Sequence, residues 1–118
     1  MILRPYNADD RDHVIEIRIP QSLCPQPDKL EEFRAFLQMM ANRRTVGQFR
    51  YGDPTSKQRY MTRLAKELQA YKTGGNVEQL INIAVYAYLE MEAPENPLHH
   101  FDPGAESITR KEMGGNIA

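Results

Sequence analysis

Cysteine and glycine are scarce in this chain, tryptophan is absent, and each shortage excludes something. Cys24 is alone, so no intrachain disulfide can form, and a reducing compartment is the simplest expectation. It sits in the proline-bounded loop SLCPQP, without the partner base and cationic surroundings that a catalytic thiolate needs. The seven glycines form neither a GxGxxG turn nor a Walker loop, which removes the standard dinucleotide and triphosphate cradles. Charge of one sign is also lacking. Fifteen Lys and Arg stand against sixteen Asp and Glu, a net charge of −1. Nonspecific binding to duplex nucleic acid usually needs a clear basic excess, so it is not expected. A small anion remains possible, because a few converging arginines can make a positive pocket on a neutral protein.

Long apolar runs are missing too. Arg4, Pro5 and Asp9 interrupt any signal-like opening, and no segment approaches the ~20 apolar residues of a membrane span. The expectation is a soluble, cytoplasmic protein without a membrane partner. Its 118 residues suffice for one domain and one core. A core of that size, weak charge repulsion, six methionines and six tyrosines favour association, so a homo-oligomer, dimer or higher, is expected.

What is present reads as an α+β chain, mostly helical: an N-terminal β-hairpin, three helices and an ordered polar C-terminal tail. HVIEIRIP alternates, with Ile15, Ile17 and Ile19 on one face and Val14, Glu16 and Arg18 on the other. That period is a half-buried strand. MILRPY is its candidate partner with NADD as the turn, giving a hairpin over about 1–20. Asp28 and Glu31 have capping-box spacing and start a helix over about 29–42, striped by Leu30, Phe33, Leu37 and Met40. TVGQFRY, 45–51, reads as an extended connector or a further strand. Asp53-Pro54 starts a second helix over 54–72. Gly74-Gly75-Asn76 closes it and caps a third over 77–92, apolar almost all round and therefore packed on more than one side. Asn82 lies within that helix and needs a hydrogen-bond partner there. The tail follows over 93–118.

Catalytic chemistry finds little support. His99, His100 and Asp102 are clustered, but neighbouring histidines rarely ligate one metal from a rigid element and no further ligands are evident. No nucleophile motif or acidic pair accompanies them. The sequence points to binding without turnover, with no cofactor, metal or catalytic residue assigned. The groups that remain suit a nucleotide. Arg34, Arg63 and Arg110 can hold phosphates through planar forks. Tyr86, Tyr88 or Phe101 can stack on a base, and Asn96 can read a base edge or a ribose hydroxyl. Each has a plainer reading. Arg34 lies beside an apolar stripe and can cover it, and Arg63 is spaced to pair with Glu67.

The segment TGGNVEQLINIAVYAYLEM followed by PENPLHHFDPGAESITR resembles a pattern of small phage proteins. In them a TGN turn opens an apolar helix ending in glutamate, then come an NP-x-x-HF stretch and a serine-rich end closed by arginine. The match, from Gly52 to Arg110, resembles the first described type of phage anti-Thoeris protein. Those proteins are sponges that sequester cyclic ADP-ribose isomers made by bacterial TIR-domain defence enzymes. The resemblance implies an N-terminal hairpin feeding long helices, assembly into dimers or larger oligomers, and a cyclic nucleotide held between protomers without cleavage. It implies base stacking by Tyr86, a polar tail contact from Asn96, and phosphate contacts from Arg110, Arg34 and Arg63. The setting implied is the cytoplasm of an infected bacterial host. Two departures, TGGN for TGN and no proline-glycine after the serine, alter the rim of such a pocket. The other reading is a phage inhibitor that docks on a host protein through a helical surface rich in tyrosine and methionine. A small nucleotide-handling enzyme is a third.

Overall fold

The computed structural model describes residues 8–23, 26–51 and 59–103. Side chains at Leu23, Pro27 and 48–51 are outside that description. A 3₁₀ turn at Gln21–Leu23 precedes three helices: α1 Pro27–Tyr51, α2 Tyr60–Gly74 and α3 Glu78–Glu92.

The expected hairpin does not form among the described residues. A turn forms over 9–12 instead of at NADD, whose Asn7 lies outside the described residues: Asp12 N–H donates to Asp9 C=O at 3.0 Å, and Arg11 grips the Asp9 carboxylate through Nε and Nη2 at 3.1 and 3.0 Å. Yet residues 13–20 carry no ladder, and the described chain is helical. The physical reason is that alternation makes a segment able to pair but a ladder needs a second strand, and none stands beside 13–20 among the described residues. The other proposed strand, MILRPY, lies outside the described residues, as does the Asp53-Pro54 helix start.

The 45–51 connector is also corrected. It is the last two turns of α1, which runs 25 residues without a break. Thr45 settles into it by donating its hydroxyl to the Ala41 carbonyl at 2.8 Å. Arg43 and Arg44 then fix this half of α1 on α3. Arg43 pairs with Glu78, the first residue of α3, and Arg44 with Glu92, the last, at 3.4 Å. Glu78 and Glu92 are separated by roughly 21 Å of helix. Two neighbouring arginines reaching opposite ends of α3 place the crossing of α1 near its middle.

The α2–α3 turn forms as the glycines require. Gly75 takes φ +74°, a left-handed conformation that favours glycine, and its N–H bonds the Tyr71 carbonyl at 2.8 Å. Asn76 Oδ1 accepts the Glu78 N–H at 3.0 Å and caps α3. The hairpin is antiparallel, and its packing is anchored by Tyr60, 1% exposed, whose ring stacks on Tyr86 at 6.4 Å between centroids. Asn82 finds its partner across the two helices, donating Nδ2–H to Glu67 at 3.3 Å. Ile81 and Val85 complete the set of buried apolar residues among those described. That core is small. Val77, Leu80, Tyr88 and Met91 leave one flank of α3 uncovered.

Candidate functional site

The antiparallel hairpin brings the start of α2 beside the end of α3. Three of the five expected ligand residues therefore share one end of the fold. Arg63 lies three positions after Tyr60 on α2, the spacing at which helix neighbours meet. Tyr86 lies on α3 with its ring against Tyr60. Asn96 follows the last turn of α3.

Arg63 is exposed and makes no ion pair among the described residues. Glu67, its expected surface partner, instead accepts the hydrogen bond from Asn82. The unpaired charge is not isolated. Arg59, Arg63 and Lys66 fall at i, i+4 and i+7, all exposed, with no acidic partner among the described residues. This basic stripe was missed as a set, although the spacing R-x-x-x-R-x-x-K is visible in the sequence. Arg59 itself stands just before α2 in the left-handed region, φ 54° and ψ 54°. A non-glycine residue there is uncommon.

Tyr86 is half-buried. One side of its ring is occupied by Tyr60, at an interplanar angle of 27°. Its stacking capacity is thus partly spent on the hairpin, whereas Tyr88 and Phe101 remain exposed.

Asn96 organises the tail. Its Oδ1 accepts the Leu98 N–H at 2.9 Å, and its carbonyl accepts the His99 N–H at 3.1 Å and His99 Nδ1–H at 2.9 Å. Glu90 holds the stem, its Oε1 accepting the N–H of Glu95 at 2.9 Å and of Asn96 at 3.3 Å. Glu90 Oε2 and Glu95 Oε1 are buried without a hydrogen-bond partner among the described residues. These carboxylates make the tail side unfavourable to phosphate. What Asn96 can still offer is its amide NH₂, a donor for a hydroxyl or a base edge.

His100 Nδ1–H donates to the Leu98 carbonyl at 2.8 Å, so both histidines are held by tail backbone. Among the described residues no group of three or more His, Cys, Asp and Glu is placed to hold a metal ion.

Among the described residues no hydrogen bond or ion pair joins Arg34 to Arg63, Tyr86 or Asn96. Arg34 is exposed on α1, 3.8 Å from Glu31 in a solvated i,i+3 pair, and lies about 13 Å along the helix from Arg43. Arg110 lies outside the described residues. Among the described residues no helix is long and apolar enough to cross a membrane. Comparison with protein-family models, with curated proteins and with solved structures found no match.

Proposed function

We propose that this protein binds and sequesters a cyclic nucleotide signal of the cyclic ADP-ribose type without cleaving it, as an anti-defence protein in the cytoplasm of a phage-infected bacterium. The observation that carries the reading is the Arg59–Arg63–Lys66 stripe, without an acidic partner among the described residues, at the hairpin end that also holds Tyr86 and Asn96. A pyrophosphate needs forked donors free of competing carboxylates, and among the described residues Arg59 and Arg63 have none paired to them. A base needs an aromatic face, for which Tyr86, half-buried, offers the side that Tyr60 does not cover and Tyr88 is an exposed alternative. A ribose hydroxyl can accept a hydrogen bond, and the Asn96 amide NH₂ can donate one.

The test is isothermal titration with cyclic ADP-ribose and its glycocyclic isomer. Saturable binding, weakened roughly 10- to 100-fold by Arg63→Ala, is expected from the loss of a charge-assisted contact of about 1.5–3 kcal/mol. Absence of heat with every isomer overturns the ligand assignment. Turnover of the nucleotide, detected by chromatography, overturns the sponge reading in favour of an enzyme.

A second reading has its own observation. Val77, Leu80, Tyr88 and Met91 form an uncovered flank on α3 with no charge among them, which suits docking on a host protein, since aromatic and methionine side chains enrich interface cores. Stoichiometric capture of one host protein, lost in Tyr88→Asp, would favour it.

A further inference from the structure

Residues 13–20 have the composition of a strand and none of its bonds. Among the described residues their backbone N–H and C=O groups make no backbone hydrogen bond, and every side chain from His13 to Pro20 is exposed. Val14 and Ile15 are each 85% exposed, and Ile17 is 58%. Unpaired backbone beside β-branched side chains is a template for another chain.

We infer that this segment pairs with the same segment of a second copy, antiparallel about Ile17. The order of side chains selects both partner and register. With Ile17 opposite its own copy, Ile15 meets Ile19 and Ile19 meets Ile15, so one face is wholly apolar. On the other face Glu16 meets Arg18 and Arg18 meets Glu16, two opposite-charge pairs related by the two-fold axis. A slip of one residue on either strand sets isoleucines across from the charged face. Parallel pairing in register opposes like charges, Glu16 to Glu16 and Arg18 to Arg18.

Pro20 settles the remaining choice. In an antiparallel ladder alternate pairs exchange backbone hydrogen bonds. If Ile17 forms the hydrogen-bonded pair on the axis, then Ile15 with Ile19 does also, and Pro20 falls at a position where no N–H is needed. Glu16 and Arg18 then occupy the non-hydrogen-bonded pairs, where side chains come closest, with Cα atoms about 4.5 Å apart. No residue of the basic stripe or the tail takes part, so this interface stands whether or not a nucleotide binds.

The experiment is sedimentation velocity of the full chain across a concentration series, with charge-reversed variants. A concentration-dependent dimer is expected for the wild-type chain. Glu16→Arg alone, or Arg18→Glu alone, weakens it tenfold or more, because each reversal turns both symmetric pairs repulsive. The double variant, Glu16→Arg with Arg18→Glu, recovers the wild-type constant. In a Cys24→Ser background, Ile17→Cys forms an intermolecular disulfide on mild oxidation, since Cα atoms about 5.5 Å apart across the axis fall within disulfide reach. Far-UV circular dichroism keeps unfolding separate from loss of pairing, because the segment lies outside the helices. A strictly monomeric chain overturns the inference, and so does a dimer indifferent to either single reversal.

Discussion

Tyr60→Ala puts the packing of the α2–α3 hairpin under direct strain. Tyr60 is 1% exposed and begins α2, with its ring stacked on Tyr86. Burying an aromatic side chain removes roughly 150–250 Å² from water, about 4–6 kcal/mol at 25 cal/mol per Å². A compact unfolded state lowers that by roughly 10–40%. The result, about 3–5 kcal/mol, agrees with the general cost of truncating a buried aromatic to alanine. Only Ile81 and Val85 share its burial among described apolar residues, so little remains to hold the hairpin closed. Urea unfolding followed by circular dichroism at 222 nm reads the change. With an m-value near ~2 kcal/mol/M, the midpoint should fall by about 2 M, or the variant should be unfolded without denaturant. Tyr60→Phe keeps the ring, so it should cost no more than about 1.5 kcal/mol. A midpoint shift for Tyr60→Ala below about 0.5 M would show that the hairpin does not rest on this residue.

Three further outcomes are expected. Gly47→Ala should stabilise by about 0.5–1 kcal/mol in the same assay, because Gly47 lies inside α1 with open space for a Cβ, while Gly75→Ala should destabilise by about 1–2 kcal/mol at φ +74°. Glu90→Ala removes the acceptor for the Glu95 and Asn96 N–H groups, so those amides should exchange faster by NMR while α3 amides near Ile81 stay protected. Asp9 should titrate below the usual carboxylate range, because its hydrogen bonds from Arg11 favour the ionised form; the turn is intact above that range, is lost as pH falls through the lowered value, and should revert toward ordinary titration in Arg11→Ala.

Legibility in the sequence followed the range of the interactions involved. α3 was readable because its apolar residues and the glycine–asparagine turn are local signals, and expected 77–92 became Glu78–Glu92. The partner demanded by Asn82 was also found across the hairpin. The 45–51 segment misled because Thr45, Val46 and Gly47 are weak helix formers. What holds them helical includes the grip of Arg43 and Arg44 on α3, which no local pattern announces. The N-terminal alternation gave the strand character of 13–19, but pairing is a property of two segments, and the hairpin inferred from one was wrong. For the site, Arg63 and Glu67 were spaced to pair, and only the tertiary contact from Asn82 shows Glu67 engaged elsewhere. Arg34 looked equivalent to Arg63 in the sequence. In the fold Arg34 pairs with Glu31 on α1, whereas Arg63 makes no ion pair among the described residues.

The most direct test of the account is calorimetric titration of glycocyclic ADP-ribose into the wild-type chain and into Arg63→Ala, each first shown folded by circular dichroism. Saturable binding near one ligand per protomer, or one per two, weakened at least tenfold in the variant, is expected. Equal affinity in the two proteins would contradict the placement of the phosphate on the α2 stripe. No binding in either would contradict the nucleotide itself.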